Sequence, residues 1–426
     1  MVWVTLECVP GTDGDAGTTG ESTMTDVRRR TVIGGGLAGA ALLAGCSSEK
    51  EQPVSAGETG GGRKPPSTTT TTRPAGKPIG DGSTSDTGPQ PHQPRWTRLK
   101  PGEKPPQFVV ISWDGGGETS LKLNSHFQQV AKRHGASMTY FLTGIYFLPG
   151  GKKMLYSPPR KKQGASDIGY FPDRFVRSTI EQIGKAWLAG HEIGTHFNGH
   201  FCGEKGVASW SVEDWKSEIE QAKKFVKTWR TNTGITDLPA LPFDYEKELV
   251  GGRAPCLEGV DNLRKAAAEL GWRYDSSGAR YPTWPKKVEG IWDLSLQAVP
   301  MPGSDREVIA MDYNFLANQS GDVNGDKAQR PKWKKQTVDS FMAGFRRSYD
   351  GNRSPLVIGN HFENWNGGIY MEAVEEVMGQ MAAEPDTRLV SFRQLCDWLD
   401  LQDPEVLKKL RKLGSAPSEG WASYLA

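Results

Sequence analysis

The sequence contains no apolar run of the roughly 18 to 20 residues that a membrane-spanning helix requires, which excludes a polytopic membrane protein. It also lacks an excess of either charge. Lys and Arg number 52 against 50 Asp and Glu, for a formal charge of +2. Without a basic excess or a basic stripe, nucleic acid is not an expected partner. Hydrophobic residues make up only 36% and the mean hydropathy is −0.56, polar for a globular chain. Cysteine is scarce, with five residues. What is abundant is glycine (51) and proline (28), so part of the chain is expected never to fold. The remainder of the 426 residues is still ample for a sizeable core.

The glycine, serine, threonine and proline are concentrated near the start. Arg28-Arg29-Arg30 precede an uncharged stretch of small and apolar residues that ends in Leu43-Ala44-Gly45-Cys46. Charge followed by a short apolar run is the order of an export signal. The small residues before Cys46 resemble a bacterial lipoprotein cleavage site, which would make Cys46 a lipid anchor and place the protein on the outer face of the cell membrane, or in the medium. The acidic residues Glu7, Asp13, Asp15 and Glu21 ahead of the arginines suit no signal, so Met24 is the expected start. Residues 47–105 read as a disordered linker, 106–400 as the catalytic unit and 401–426 as a polar tail. Cys8 would leave with the leader and Cys46 would carry lipid. Of the other three, Cys396 sits at helical core spacing, whereas Cys202 and Cys256 each closely follow a candidate site motif and are expected to pair.

From Phe108 onward, strand and helix patterns alternate. Phe108-Val109-Val110-Ile111 suits a buried parallel strand, Phe127, Val130 and Ala131 a helix, and Met138 to Leu142 a second strand. Ser211 to Asp214 caps a helix with Trp215, Ile219, Ala222, Phe225, Val226 and Trp229 on one face. Such alternation over nearly 300 residues predicts a parallel α/β architecture, and seven or so strands suit an irregular barrel better than an open sheet. Residues 145–175 and 279–330 read as long loops of the kind that shape a binding face.

Four strand ends carry polar clusters: Ser112-Trp113-Asp114-Gly115, His196 with His200, Arg253-Ala254-Pro255, and Asn360-His361. In parallel α/β folds, sites form beyond the carboxyl ends of strands. Two histidines four apart can offer imidazoles to one ion, and a carboxylate would complete a three-ligand site open to water. In order and spacing, these clusters together with Tyr274-Asp275-Ser276-Ser277 resemble the motifs of the NodB-type polysaccharide deacetylases, a carbohydrate esterase family, over residues 106–400. The resemblance implies a deformed (β/α) barrel, a divalent metal (zinc or cobalt), and removal of acetyl groups from an N-acetylated glycan such as peptidoglycan, a chitin-like polymer or an exopolysaccharide. It makes His196 and His200 metal ligands, His361 the general acid, and Arg253 the partner of the catalytic carboxylate.

The sequence departs from the family in one place. Where the family has two adjacent aspartates, base then ligand, this chain has Asp114 followed by Gly115. One alignment makes Asp114 the base, the other the metal ligand; the second is preferred here because two imidazoles hold an ion poorly, and Glu118 or Asp275 would then be the base. Trp365, flanked by Asn364 and Asn366, is a candidate sugar platform. Two other readings remain open: a non-catalytic glycan-binding protein on the same scaffold, and a C–N hydrolase of a non-sugar amide.

Overall fold

A computed structural model describes residues 76–426. The export segment, the start at Met24, Cys46 and the first part of the linker lie outside the described residues. The strands are β1 (Lys77–Ile79), β2 (Thr84–Asp86), β3 (Gln107–Gly115), β4 (Thr139–Leu142), β5 (Glu192–Thr195), β6 (Gly251–Gly252) and β7 (Tyr274–Asp275). They continue with β8 (Ala279–Arg280), β9 (Lys287–Val288), β10 (Ile291–Asp293), β11 (Leu296–Pro300), β12 (Glu307–Ile309), β13 (Leu356–His361) and β14 (Thr387–Val390).

The main sheet runs β13-β3-β4-β5-β6-β7-β10-β9, parallel throughout except for the last pair. β3 is its axis. All its residues up to Asp114 are buried, as its unbroken apolar run requires. It pairs with β14 along Gln107–Val110 and with β4 along Ser112–Gly115, so the sheet splays as it turns. β11 pairs with β8 and β12, and a bridge from Met311 to Gly359 brings that edge back to β13. The Gly359 N–H donates to the Ala310 carbonyl at 2.9 Å across this join. The fold is therefore a mixed α/β one whose parallel sheet curls into a deformed barrel.

Helices cover the outside of this sheet. The helix Val212–Lys227 begins with the expected capping box between Ser211 and Asp214, and buries Trp215, Ile219, Ala222, Phe225 and Val226. Cys202 and Cys256 form a disulfide with 5.9 Å between Cα atoms, and Cys396 is a buried free thiol in the core. Among the described residues no helix is long and apolar enough to cross a membrane.

Two segments correct the sequence reading. Residues 76–105, assigned to the linker, are ordered against the barrel. The Trp229 indole donates to the Ser83 carbonyl at 2.6 Å, the Gln90 amide donates to the Trp187 and His191 carbonyls, and Trp96 meets Phe108 edge-on at 5.7 Å. Composition missed this because the segment is held mainly by polar groups and backbone bonded to distant partners rather than by its own apolar content. The polar tail 401–426 also folds. Helix Pro404–Arg411 buries Leu407 and Leu410, and Leu425 joins the same core. Leu99 donates its N–H to Gln402 at 2.8 Å, so the two ends of the described chain pack on one another.

Candidate active site at the carboxyl ends of the strands

Asp114 and His361 lie opposite one another in the register of β3 and β13. That pairing follows from the parallel ladder, which brings side by side two residues 247 apart in sequence. Asp114 Oδ2 and His361 Nε2 stand 4.0 Å apart. Asp114 is buried, and its other oxygen accepts from the Arg253 guanidinium at 2.8 Å. Burial alone would raise the Asp114 pKa, but Arg253, His196 and His361 outweigh it and hold the carboxyl below its ordinary value. Asp114 is therefore ionised at neutral pH.

Arg253 is fully buried and has every arm engaged. Its Nε donates to the Ser276 carbonyl at 3.1 Å, one terminal nitrogen to Ser276 Oγ at 2.8 Å and the other to Asp114. Its planar head also lies 4.8 Å from the centroid of the Phe141 ring. The geometry is that of a fixed fork holding one carboxylate oxygen.

His196 immediately follows β5. Its Nδ1 pairs with the Arg253 carbonyl at 2.8 Å, so that nitrogen carries the proton. Nε2 is left buried and without a partner. An imidazole oriented through one nitrogen, with a bare lone pair on the other, is what a metal ligand requires. The His200 ring is 5.1 Å away, centroid to centroid. Burial, together with the neighbouring His196 and His361, pushes the His200 pKa down to about 3, and burial likewise lowers that of His196. Both rings are neutral, the form that binds metal. Phe197 and His200 adopt left-handed backbone conformations (φ 60 and 54), which are rare for such residues and concentrate at functional loops.

The third ligand is where sequence and structure part. Among the described residues, the one trio of His, Cys, Asp or Glu ligand atoms within 4.8 Å of one another is His200, Cys202 and Cys256. The two sulfurs are joined to each other and so are not thiolates. Asp114 forms no such trio with His196 and His200; one of its oxygens is held by Arg253 instead. Gly115 has φ +90, and a Cβ there would meet the Tyr146 ring at 3.3 Å, so this position accommodates no second carboxylate without strain. The residues present fit a divalent ion held by two imidazoles, one protein donor short of the usual catalytic zinc set.

The remaining candidates fall into place around this centre. Asp275 is not beside Arg253. One of its oxygens accepts from Ser277 and the other from the Arg264 Nε at 2.9 Å, so it braces the loop beneath the site. Glu118 accepts from both the N–H and Oγ of Ser125 at the start of helix Leu123–His134. Neither is free to act as a base. The Trp365 ring lies 5.4 Å from His361 and 5.9 Å from Tyr313, at the rim.

One residue the sequence did not reveal is Asp312. Its Oδ1 accepts from His361 Nδ1 at 2.8 Å and its Oδ2 from the His361 N–H at 2.7 Å. Burial works against a charge on His361, but Asp312 and then Asp114 and Glu363 overcome it and raise the imidazole to about 9. Asp312 lies in the 279–330 insertion, where no motif flags it. The available signal was slight: Val308-Ile309-Ala310-Met311 is an apolar run ending in a carboxylate, the pattern that also leads into Asp114.

No protein-family model matches the sequence, nor does any curated protein. Solved structures do overlay on it. A polysaccharide deacetylase from Mycobacterium smegmatis covers 71% of this chain and 94% of its own at 15% identity and a TM-score of 0.44. The peptidoglycan deacetylase PdaC of Bacillus subtilis covers 72% and 96% at 13% identity and TM-score 0.37. A CE4 family pseudoenzyme from Bacillus anthracis covers 69% and 66% at 9% identity and TM-score 0.37. Similarity at this level says nothing about chemistry, and the deacetylase-like reading of the site rests on its own residues.

Proposed function

We propose that this protein is an exported, lipid-anchored hydrolase that removes acetyl groups from an N-acetylated envelope or extracellular glycan with the help of a divalent metal. The observation that carries the reading is a carboxylate and an imidazole facing each other across 4.0 Å, each held by its own buried partner: Asp114 by Arg253, and His361 by Asp312. His196 and His200 would hold the ion. Held there, it would supply Lewis-acid chemistry, lowering the pKa of a water to about 7 and polarising the acetyl carbonyl.

The chain's own groups then divide the proton work. Asp114, kept ionised by Arg253, takes a proton from the attacking water. His361, kept protonated by Asp312, gives one to the leaving nitrogen as the C–N bond breaks. The products are acetate and a free amine. Positioned acid and base groups of this kind contribute roughly 10²–10⁴-fold. The Cys202–Cys256 disulfide joins the loop of His200 to the loop after Arg253, which fixes the two sides of the site relative to one another.

The test is acetate release from an acetylated chitooligosaccharide and from peptidoglycan, with metal content measured in parallel. Release that disappears in His361→Ala supports the reading; bound metal with no release on either glycan sinks it. The second reading, a glycan-binding protein on this scaffold, is favoured by Gly115, which leaves the ion one protein ligand short.

A further inference from the structure

The loop from His196 to His200 rests on two buried polar side chains that the proposed proton transfers do not use. Glu218 lies on the buried face of helix Val212–Lys227, and Tyr156 belongs to the 145–175 insertion; neither is exposed to solvent. The Tyr156 hydroxyl donates to Glu218 Oε1 at 2.7 Å and accepts the Gly199 N–H at 3.1 Å. Burial and the Glu218 carboxyl push the phenol far above its ordinary pKa, so it keeps the proton that it donates. The insertion holds the other side of the same residue too. The Gly199 carbonyl accepts from the Asp167 N–H at 2.8 Å and from Ser166 Oγ at 3.3 Å. Asn198 donates its side-chain amide to the Glu218 carbonyl at 3.0 Å, and the Phe197 carbonyl accepts from the Gly144 N–H at 2.7 Å. A Cβ on Gly199 would come within 2.8 Å of the Tyr156 hydroxyl, so the loop backbone itself packs on the phenol.

We infer that Tyr156 and Glu218 are positioning residues for the metal site, fixing the backbone between His196 and His200 so that the two imidazoles converge on one ion. The inference rests on the proposed function for the presence of that ion. It adds a part for the 145–175 insertion, which the sequence marked only as a loop shaping a binding face. Two observations set this network apart from ordinary satisfaction of buried groups. Phe197 and His200 hold positive φ angles of 60 and 54, and a loop in such conformations relaxes unless its surroundings fix it. Keeping a carboxyl at position 218 is also costly. Burial raises it to about 7, and its Oε2 is left without a hydrogen-bond partner. An apolar residue would avoid both costs, as Ile219, Ala222 and Phe225 do on the same helix. What the carboxyl supplies in return is an acceptor for Tyr156, and through it a fixed Gly199 immediately before His200. Groups that orient metal ligands from outside the ligand set tune the affinity for the ion.

Titration of the full chain with cobalt(II), followed by visible absorption and by competition with zinc, tests the assignment. Tyr156→Phe deletes one hydroxyl and keeps the ring. It is expected to weaken cobalt binding about tenfold, the low end of the roughly 10–100-fold typical of groups that orient metal ligands. Glu218→Leu removes the acceptor and is expected to do the same, whereas Glu218→Gln keeps an oxygen for Tyr156 and should bind within about twofold of the unaltered protein. Circular dichroism at the titration temperature checks that each variant is folded; should Glu218→Leu not fold, Tyr156→Phe decides alone. Unweakened binding in Tyr156→Phe overturns the inference, and so does a Glu218→Gln as weak as Glu218→Leu. No cobalt binding by the unaltered protein overturns it together with the metal-dependent reading. Acetate release measured on the same samples separates the two claims. Weakened binding in the variants of a protein that releases no acetate keeps the positioning roles and sinks the hydrolase, whereas release by the unaltered protein with unweakened binding in Tyr156→Phe does the reverse.

Discussion

Replacing Asp312 by Asn removes one negative charge while keeping the shape of the side chain. Asp312 is fully buried and bonds both the ring and the N–H of His361. Its charge is the largest influence raising the imidazole from 6.5 to about 9. That shift corresponds to about 3 kcal/mol favouring the protonated ring. His361 must be protonated to donate, so activity is full below its pKa and falls as pH rises through it. In the unaltered protein the fall is centred near pH 9. If Asp312→Asn returns the ring to 6.5, the protonated fraction at about pH 8 drops from roughly nine-tenths to about 3%, an approximately 30-fold loss. At about pH 5.5 both proteins are protonated and their rates differ little. Stability follows the same sign. The raised His361 contributes below 6.5 and loses that contribution as pH rises through about 9, so the variant is less stable chiefly on the acid side. The assay is kcat/KM for acetate release across this range, with thermal unfolding alongside. An alkaline limb that stays near pH 9 in Asp312→Asn would refute the argument, because it would show that His361 is not the group being titrated.

Three further outcomes are expected. His196→Ala and His200→Ala should each lose bound divalent metal on dialysis, whereas His361→Ala should retain it; equal metal content in all three, by elemental analysis, contradicts the ligand assignment. Arg253→Met leaves Asp114 buried without its partner and should cost about 3–5 kcal/mol in denaturant unfolding, as breaking a buried ion pair does. It should also move the acid limb of kcat/KM upward, because the carboxylate loses the charge that holds its pKa down. Opening the Cys202–Cys256 bridge by a paired Ser replacement frees a loop with a sequence separation of 54 and should cost about 4 kcal/mol on the chain-entropy account. A loss below about 1 kcal/mol in chemical denaturation would show that the bridge does not constrain the unfolded chain as that account requires.

Much of the framework was legible in the residues because it depends on local pattern. The buried strand through Ile111, the capped helix at Ser211 and the polar clusters at strand ends are all written in spacing and side-chain type. The pairing of Cys202 with Cys256 was readable from their positions after two site motifs. The order of residues 76–105 and of the tail was not, because those segments are held by partners more than a hundred residues away, such as Ser83 with Trp229 and Leu99 with Gln402.

The division at the site has the same origin. Residue type and order alone named the groups of the proposed chemistry: one carboxylate, two imidazoles, one guanidinium and a late histidine. Which of them act on one another was a matter of geometry. The sequence leaves Asp114 open between base and ligand; the folded chain sets Arg253 on one of its oxygens and His361 near the other, and the proposed base role rests on that arrangement. Asp275 and Asp312 are equally acidic in sequence, yet the fold turns the first to Arg264 and the second to His361. A charge's role depends on what lies within a few ångströms of it, and the parallel ladder and the long insertion, not the spacing along the chain, determine that.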